Sequence, residues 1–278
     1  MKWPQGAWSR PRTIYSFQDG APHPGVNKVI ANRLVVLSSG EWVLPFWRER
    51  GRSCIKVDPQ QQGRAGVLIS EDKGATWNPY GDISTPQTWL IEQTVVEVEP
   101  GHLMMFCRTA VDLIYLVTSD DYGHTWSGAR PTSLPNPNAK IAAITLPAPT
   151  GSSFHAKPRV CILLCFNDHP VYPQPYVRSR THLRLAVSCN SAYGDKEIKW
   201  ERLLDLEPVK IQGYRHHYPT LLFIPNAYSN VTDPQPSVSH RHRVALVYSS
   251  FFMKQFKKSA PEGIRLIAVD IHLDTNAI

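Results

Sequence analysis

Apolar residues along this chain are grouped into pairs of short runs, and each pair is joined by a turn. Residues 32–40 are followed by residues 42–47, and residues 92–101 are followed by residues 103–108. The runs are rich in β-branched and aromatic residues, and no stretch keeps helical periodicity over three turns. We therefore predict that each pair forms the two inner strands of an antiparallel sheet. Two further pairs have the same pattern: residues 143–146 with 159–166, and residues 218–224 with 243–248.

A second repeat, S-x-D-x-G-x-T-W, occurs at residues 70–77 and again at residues 119–126. The two copies start 49 residues apart (119 minus 70), a spacing typical of one blade of a β-propeller. The aspartate can accept backbone N–H bonds, the glycine tolerates a positive φ, and the tryptophan packs on the next sheet. We therefore interpret each copy, called a box below, as a structural turn between two outer strands. Weaker copies lie at residues 188–200 and 8–11.

These repeats divide the chain into four fairly complete blades and one fragment. A propeller closes on itself, because open blade edges invite pairing with other chains. The chain begins in what resembles the last strand of a blade, so we expect that most of a first blade is missing. Within one domain of residues 1–278, the expected blades are about 26–86, 87–136, 137–210 and 214–272, with a partial blade at 1–20.

Composition narrows the classes of function. The formal net charge is +7, but the lysines and arginines are scattered without a nucleic-acid-binding signature, and a cleft for an anionic sugar is a competing use of this charge. No apolar run is long enough to span a bilayer, and residues 1–6 do not begin a signal peptide. The five cysteines show no CxxC spacing. We therefore expect buried free thiols, which suggest an intracellular compartment, and no metal site.

Several short phrases, together with the boxes, resemble the sialidase (neuraminidase) superfamily. They are IEQTVVE at residues 91–97, CRT at 107–109, LPNPN at 134–138 and HYP at 217–219. The nearest resemblance is to the branch of BNR-repeat, sialidase-like proteins, and it extends from about Trp8 to Ile271. The boxes alone are not specific for an activity, because many other propellers carry them.

The resemblance implies a six-bladed propeller with a site at one mouth of its central channel. In that family three arginines hold the substrate carboxylate, a tyrosine paired with a glutamate attacks the anomeric carbon, and an aspartate is the general acid. A tyrosine nucleophile is the recognised exception to the two-carboxylate scheme of glycosidases. An anionic sugar repels a carboxylate, whereas a neutral phenol can be activated by a neighbouring base. Arginine suits the clamp because its planar fork meets a carboxylate bidentately.

Carried over by resemblance, Tyr218 and Glu92 are the catalytic pair, and Arg108 and Arg180 bind the substrate carboxylate. The family's first arginine and its acid belong to the blade that this chain is expected to lack, so little turnover is expected. Arg33 is kept as a further substrate-binding candidate, although neither it nor Arg48 matches the first arginine's motif. Arg178 and Arg184 compete with Arg180 for its position. We expect Glu92, Arg108 and Tyr218 to converge on the channel mouth opposite the boxes.

Three functions remain open from the sequence. The first is a sialidase-like exo-glycosidase acting on an anionic sugar. The second is a polysaccharide lyase or other carbohydrate-active propeller, in which Tyr218 or a histidine abstracts a proton next to a uronate carboxylate. The third is a non-catalytic propeller that binds glycans or proteins. The expected partner is a carbohydrate, without a cofactor. A metal site at His216 and His217 is not expected, since adjacent strand residues face opposite sides.

Overall fold

The computed structural model describes residues 10–16, 18, 26–49, 63–147, 160–169, 180–189, 198–207, 211, 213–225, 240–253 and 258–273. The box remnant at residues 8–11, most of the weak box at 188–200, Arg178 and Cys54 lie largely or wholly outside these residues. The described residues form strands and turns without an α-helix. None of them builds a helix with the length and apolarity needed to cross a membrane.

Sixteen strands account for the regular structure of the described residues. In chain order they are β1 Asn27–Val29, β2 Val35–Val36, β3 Trp42–Glu49, β4 Arg64–Ser70, β5 Asn78–Ile83, β6 Ile91–Glu99, β7 His102–Arg108, β8 Asp112–Ser119, β9 Arg130–Asn136, β10 Ala142–Pro147, β11 Val160–Asn167, β12 Leu183–Ser188, β13 Glu201–Asp205, β14 Tyr214–Ile224, β15 His240–Phe252 and β16 Gly263–Leu273.

The strands form four antiparallel sheets that follow one another in chain order. The first runs β1-β3-β4-β5 with β2 also on β3, the second runs β6 to β9, the third β10 to β13, and the fourth β14 to β16. Strand β6 contacts β3 on one side and β10 on the other, and β10 contacts β14. The inner strands of successive sheets are therefore neighbours, which is the arrangement of propeller blades. The expected all-β class is confirmed.

The hydrophobic core lies between the sheets, because the central strands bury both faces. On β7, Met104 and Phe106 pack toward the third sheet and contact the cluster of Ile162 and Leu164. Met105 on the same strand faces the first sheet and its Val67. Alternate side chains thus serve two different interfaces, as the period of a strand requires. A third cluster joins the third and fourth sheets.

Both boxes form the turns expected of them, between β4 and β5 and between β8 and β9. The carboxylate of Asp72 accepts hydrogen bonds from the N–H and the hydroxyl of Thr76, both at 2.7 Å. Asp121 binds Thr125 in the same way, at 2.8 and 2.6 Å. Gly74 has a φ of 89°, which a side chain would disfavour. The repeat therefore encodes a turn that is stabilised by hydrogen bonds within the box itself, and this hydrogen-bonded turn is called the clip below.

The Asp72 clip makes stability depend on pH. Hydrogen bonds from Thr76 and Ser70 hold the pKa of Asp72 at about 2, below the value of about 3.9 in an unfolded chain. The ionised clip therefore stabilises the fold above about pH 4, and this stabilisation is lost as the pH falls toward 2. We expect Asp72→Asn to lower the urea midpoint at pH 7. At pH 2.5 the difference between the variant and parent midpoints should be smaller. Glu71→Gln is the control and should change neither midpoint. Equal effects of Asp72→Asn at both pH values would contradict this explanation.

One expectation about the cysteines is wrong. Cys161 and Cys189 form a disulfide across 28 residues of sequence. Strands β11 and β12 pair Ile162 with Ser188, so Cys161 on β11 lies beside Cys189, the residue that directly follows β12. Local spacing could not reveal a contact that antiparallel pairing creates. Cys107 and Cys165 are free and buried as expected, and burial raises the pKa of both thiols.

Candidate functional site

Two inner strands, β6 and β14, each contain a β-bulge, and a predicted catalytic residue lies in each bulge. In β6, Ile91 pairs with Arg108 and Thr94 with Phe106, so Glu92 and Gln93 face a single residue of β7. In β14, His217 pairs with Ser249 and Thr220 with Val247, so Tyr218 and Pro219 form the corresponding bulge. Bulges often redirect side chains beside active sites. The two predicted partners thus occupy equivalent places in the second and fourth sheets.

Both bulges hold a side chain in the left-handed backbone region. The φ angle is 46° at Glu92 and 52° at Tyr218, and Asn138, just before β10, has a φ of 54°. Such angles are uncommon outside glycine and asparagine, and they persist only where the surroundings enforce them. The same backbone region is also occupied by Lys73 and Tyr122 in the box turns and by Asp112 at the start of β8, whereas Glu92, Asn138 and Tyr218 come from β6, the connection between β9 and β10, and β14. This shared irregularity marks a candidate functional site.

Arg108 is fixed between Glu92 and Asn138. Its Nη1 donates to the Glu92 carboxylate at 2.5 Å, and its Nε donates to the side-chain oxygen of Asn138 at 2.8 Å. The side chains of Arg108 and Glu92 are only 12% and 9% exposed. Arg108 is the last residue of β7. Leu103 lies near the other end of this strand, where it pairs with Ser119 of the second box. The cluster therefore lies at the strand ends remote from that box.

Arg180 reaches the same cluster from the third sheet. Its Nη2 donates to the backbone oxygen of Asn138 at 2.5 Å, and its Nη1 donates to Nδ1 of His217. Burial lowers the pKa of Arg180 to about 10, and the neighbouring Arg108 contributes in the same direction, while Tyr218 and Glu92 oppose the shift. Asn138 therefore links the two arginines, one through its side chain and one through its backbone.

His217 is neutral and has a defined tautomer. Because an arginine can only donate, Nδ1 of His217 must accept, and the ring proton resides on Nε2. Burial, followed by the charges of Arg180 and Arg215, lowers the pKa of His217 to about 3. A base this weak is poorly suited to abstract a proton, so His217 is a poor candidate for the base in the lyase function, for which Tyr218 stays open.

The structure brings together Glu92, Arg108 and Arg180, with Tyr218 next to His217. The Tyr218 side chain is 53% exposed. Among the hydrogen bonds of the described residues, none joins the Tyr218 hydroxyl to Glu92, whose carboxylate binds Arg108 instead. The Tyr218 and Glu92 groups both act electrostatically on Arg180, but they do not form a hydrogen-bonded pair.

None of the other candidate arginines that the structure describes forms a hydrogen bond or ion pair with this cluster, although Asn32, next to Arg33, donates to the Glu92 backbone. Arg33 is exposed on the segment between β1 and β2, next to Asn32. Arg48 is buried and donates to the backbone oxygen of Gly81 at 2.9 Å. Arg184 pairs with Asp168 at 2.6 Å. Arg180 is therefore the arginine of the third sheet that the described structure places in the cluster.

Sequence reasoning missed Asn138, Lys140 and His217. Asn138 and His217 lie within phrases that carry the family resemblance, but a phrase does not reveal which of its residues turn toward a site.

One group of potential metal ligands occurs among the described residues: Glu41, Glu71 and His124, whose ligand atoms lie within 4.8 Å of one another. Glu71 and His124 belong to the box turns, so this group is separate from the arginine cluster.

The comparisons with known proteins agree with the fold described above. The family model of the BNR repeat-like domain matches residues 5–231. No curated protein matches the chain. Among solved structures, the NanB sialidase from Streptococcus pneumoniae is similar with a TM-score of 0.55 and 18% identity, over 92% of this chain and 32% of that chain. A Hadza microbial sialidase is similar with a TM-score of 0.56 and 20% identity, over 92% of this chain and 39% of that chain.

A third similar structure has no assigned activity. It is a protein of unknown function from Dyadobacter fermentans, with a TM-score of 0.54 and 17% identity, over 97% of this chain and 60% of that chain. The chain spans less than two thirds of the length of each of these three proteins. Since the identities are low, the structural likeness concerns the fold, whereas the family model matches most of the sequence. The chain therefore belongs to the BNR repeat-like domain family and has the fold of the sialidase propellers.

Proposed function

We propose that this protein is a sialidase-like exo-glycosidase whose substrate is an anionic sugar of the sialic acid type. The observation that carries the proposal is the anchoring of Arg108 and Arg180, from different sheets, on the single residue Asn138. The similar solved structures include proteins described as sialidases, which supports the same substrate class. Two fixed guanidinium groups in a partly buried setting favour a carboxylate ligand.

In the proposed reaction, Tyr218 supplies the nucleophile. Its oxygen forms a bond to the anomeric carbon while the glycosidic C–O bond breaks, and its phenolic proton passes to the Glu92 carboxylate. This transfer requires Glu92 to exchange its bond with Arg108 for one with Tyr218 when the substrate carboxylate engages Arg108. Among the described residues we assign no acid for the leaving oxygen, which takes its proton from water. A second water then breaks the bond between the Tyr218 oxygen and the anomeric carbon, and the proton returns from Glu92 to Tyr218.

A second candidate is a non-catalytic glycan-binding protein. The bond between Glu92 and Arg108 favours it, because this carboxylate is engaged by an arginine and forms no hydrogen bond with Tyr218 among the described residues. Both functions share the carboxylate clamp and differ only in turnover.

The clamp is tested by calorimetric titration with N-acetylneuraminic acid and with uncharged N-acetylmannosamine. We expect the anionic sugar to bind at least about tenfold more tightly, which corresponds to about 1.4 kcal/mol. Arg180→Met should remove that preference, whereas Arg241→Met, on the exposed surface of β15, should preserve it. Equal binding by the parent and Arg180→Met would overturn the proposal.

Release of a fluorophore from a sialoside then separates the two candidates. Release that Tyr218→Phe abolishes would support the hydrolase. Binding without release would support the glycan-binding protein.

A further inference from the structure

A buried lysine lies beneath the predicted nucleophile. Lys140 precedes β10 and is only 4% exposed. Its ammonium group donates to the backbone oxygen of Pro219 at 2.6 Å. Pro219 directly follows Tyr218 and is the second residue of the β14 bulge. A side chain of the third sheet therefore contacts the backbone that carries Tyr218 in the fourth sheet.

The β14 bulge needs an external anchor. The left-handed conformation of Tyr218 is unfavourable for a bulky side chain. Tyr218 is 53% exposed, its ring stacks on the adjacent His217, and its side chain forms no hydrogen bond among those of the described residues, so the side chain contributes little to holding the bulge. Pro219 has no N–H to donate. Its carbonyl, which accepts the Lys140 ammonium, is therefore one group through which the bulge is held.

The same arrangement occurs at the other bulge. The side-chain amide of Asn32, in the first sheet, donates to the backbone oxygens of Glu92 and Gln93 at 2.9 and 3.0 Å. Gln93 corresponds to Pro219 as the second residue of its bulge. In both cases a side chain that precedes an inner strand fixes the bulge of the following sheet. The repetition indicates that the contact made by Lys140 is part of how the site is built.

We propose that Lys140 is a positioning residue that holds the Tyr218–Pro219 bulge in place and thereby orients Tyr218 toward an anionic ligand. The part that concerns the ligand rests on the function proposed above, while the part that concerns the bulge does not. Lys140 acts through the backbone and does not touch the substrate.

The charges around Lys140 give this role a pH signature. Burial lowers the pKa of Lys140 to about 8, while Glu92 on β6 and the Cys165 group on β11 oppose that shift. At pH 7 the group is protonated, and an ammonium binds a carbonyl more strongly than a neutral amine does. Above about pH 8 the bulge loses this charged donor and the site loses one positive charge. Protection of the bulge and affinity for an anion should both fall.

Hydrogen exchange of the ligand-free protein tests the positioning role. We expect Lys140→Met to speed exchange in Tyr214–Ile224 by about tenfold or more, the typical effect of losing a hydrogen bond to a charged group. Asn32→Ala is the matched control and should speed exchange in Ile91–Glu99 instead. Unchanged exchange in Tyr214–Ile224 would overturn the proposal. If Lys140→Met does not fold, the same measurement on the parent protein tests the role. The protection factors of Tyr214–Ile224, divided by those of β7, should fall between pH 7 and 9. A ratio that stays constant over this range would overturn the role.

Titration with N-acetylneuraminic acid tests the effect on the ligand separately. Parent affinity should decrease across pH 8, whereas Lys140→Met should bind more weakly and without that step. A parent that binds no sugar but shows the expected exchange would refute the proposed function and still support the positioning role. An identical pH step in both proteins would overturn the assignment to Lys140.

Discussion

Replacing Arg108 with methionine is expected to lower the free energy of unfolding by about 3–5 kcal/mol, the usual cost of removing one partner of a buried ion pair. Arg108 and Glu92 are 12% and 9% exposed, so the remaining carboxylate would be left with little water to solvate it. The same change removes the donor to Asn138. Urea unfolding at pH 7 measures the loss.

The double variant provides the control for this prediction. Adding Glu92→Gln to Arg108→Met removes the unpaired charge and should recover a large part of the lost stability. Arg241→Met, whose arginine forms an exposed pair with Asp270, should cost no more than about 1 kcal/mol. A single Arg108→Met variant as stable as the Arg241→Met variant would show that the pair is not buried in solution.

Replacing Phe106 with alanine is expected to cost about 3–5 kcal/mol through the cavity it leaves. Phe106 is fully buried between the second and third sheets. Its ring meets the edge of Trp200, with the centroids 5.8 Å apart. The loss should appear in the free energy of unfolding from urea titration and should be accompanied by faster exchange in both sheets, because the cavity would lie at their interface.

A surface position supplies the matched control for Phe106. Leu266 on β16 is 71% exposed, so Leu266→Ala should change stability by no more than about 0.5 kcal/mol. Similar losses in the Phe106 and Leu266 variants would contradict the packing of the second sheet against the third.

Much of the fold could be predicted because its determinants are local in the sequence. Paired apolar runs specify antiparallel strands, since each run needs a partner to satisfy its backbone and a core to cover its side chains. The boxes specify turns because one aspartate, as at Asp72 or Asp121, binds residues only four positions away. Interactions between residues this close in the sequence can be recognised as a motif. The pairing of Cys161 with Cys189 cannot be recognised in this way, because it follows from the register of two strands.

The candidate site divides along the same line. The sequence by itself determined the all-β class, the succession of sheets and, through resemblance, the candidates Glu92, Arg108, Arg180 and Tyr218. Only the tertiary structure decided that Glu92 binds Arg108, that Asn138 joins the two arginines, and that Lys140 holds the backbone after Tyr218. These contacts join residues up to 79 positions apart. Their geometry depends on two bulges and on the packing of three sheets, and no spacing along a chain encodes that arrangement.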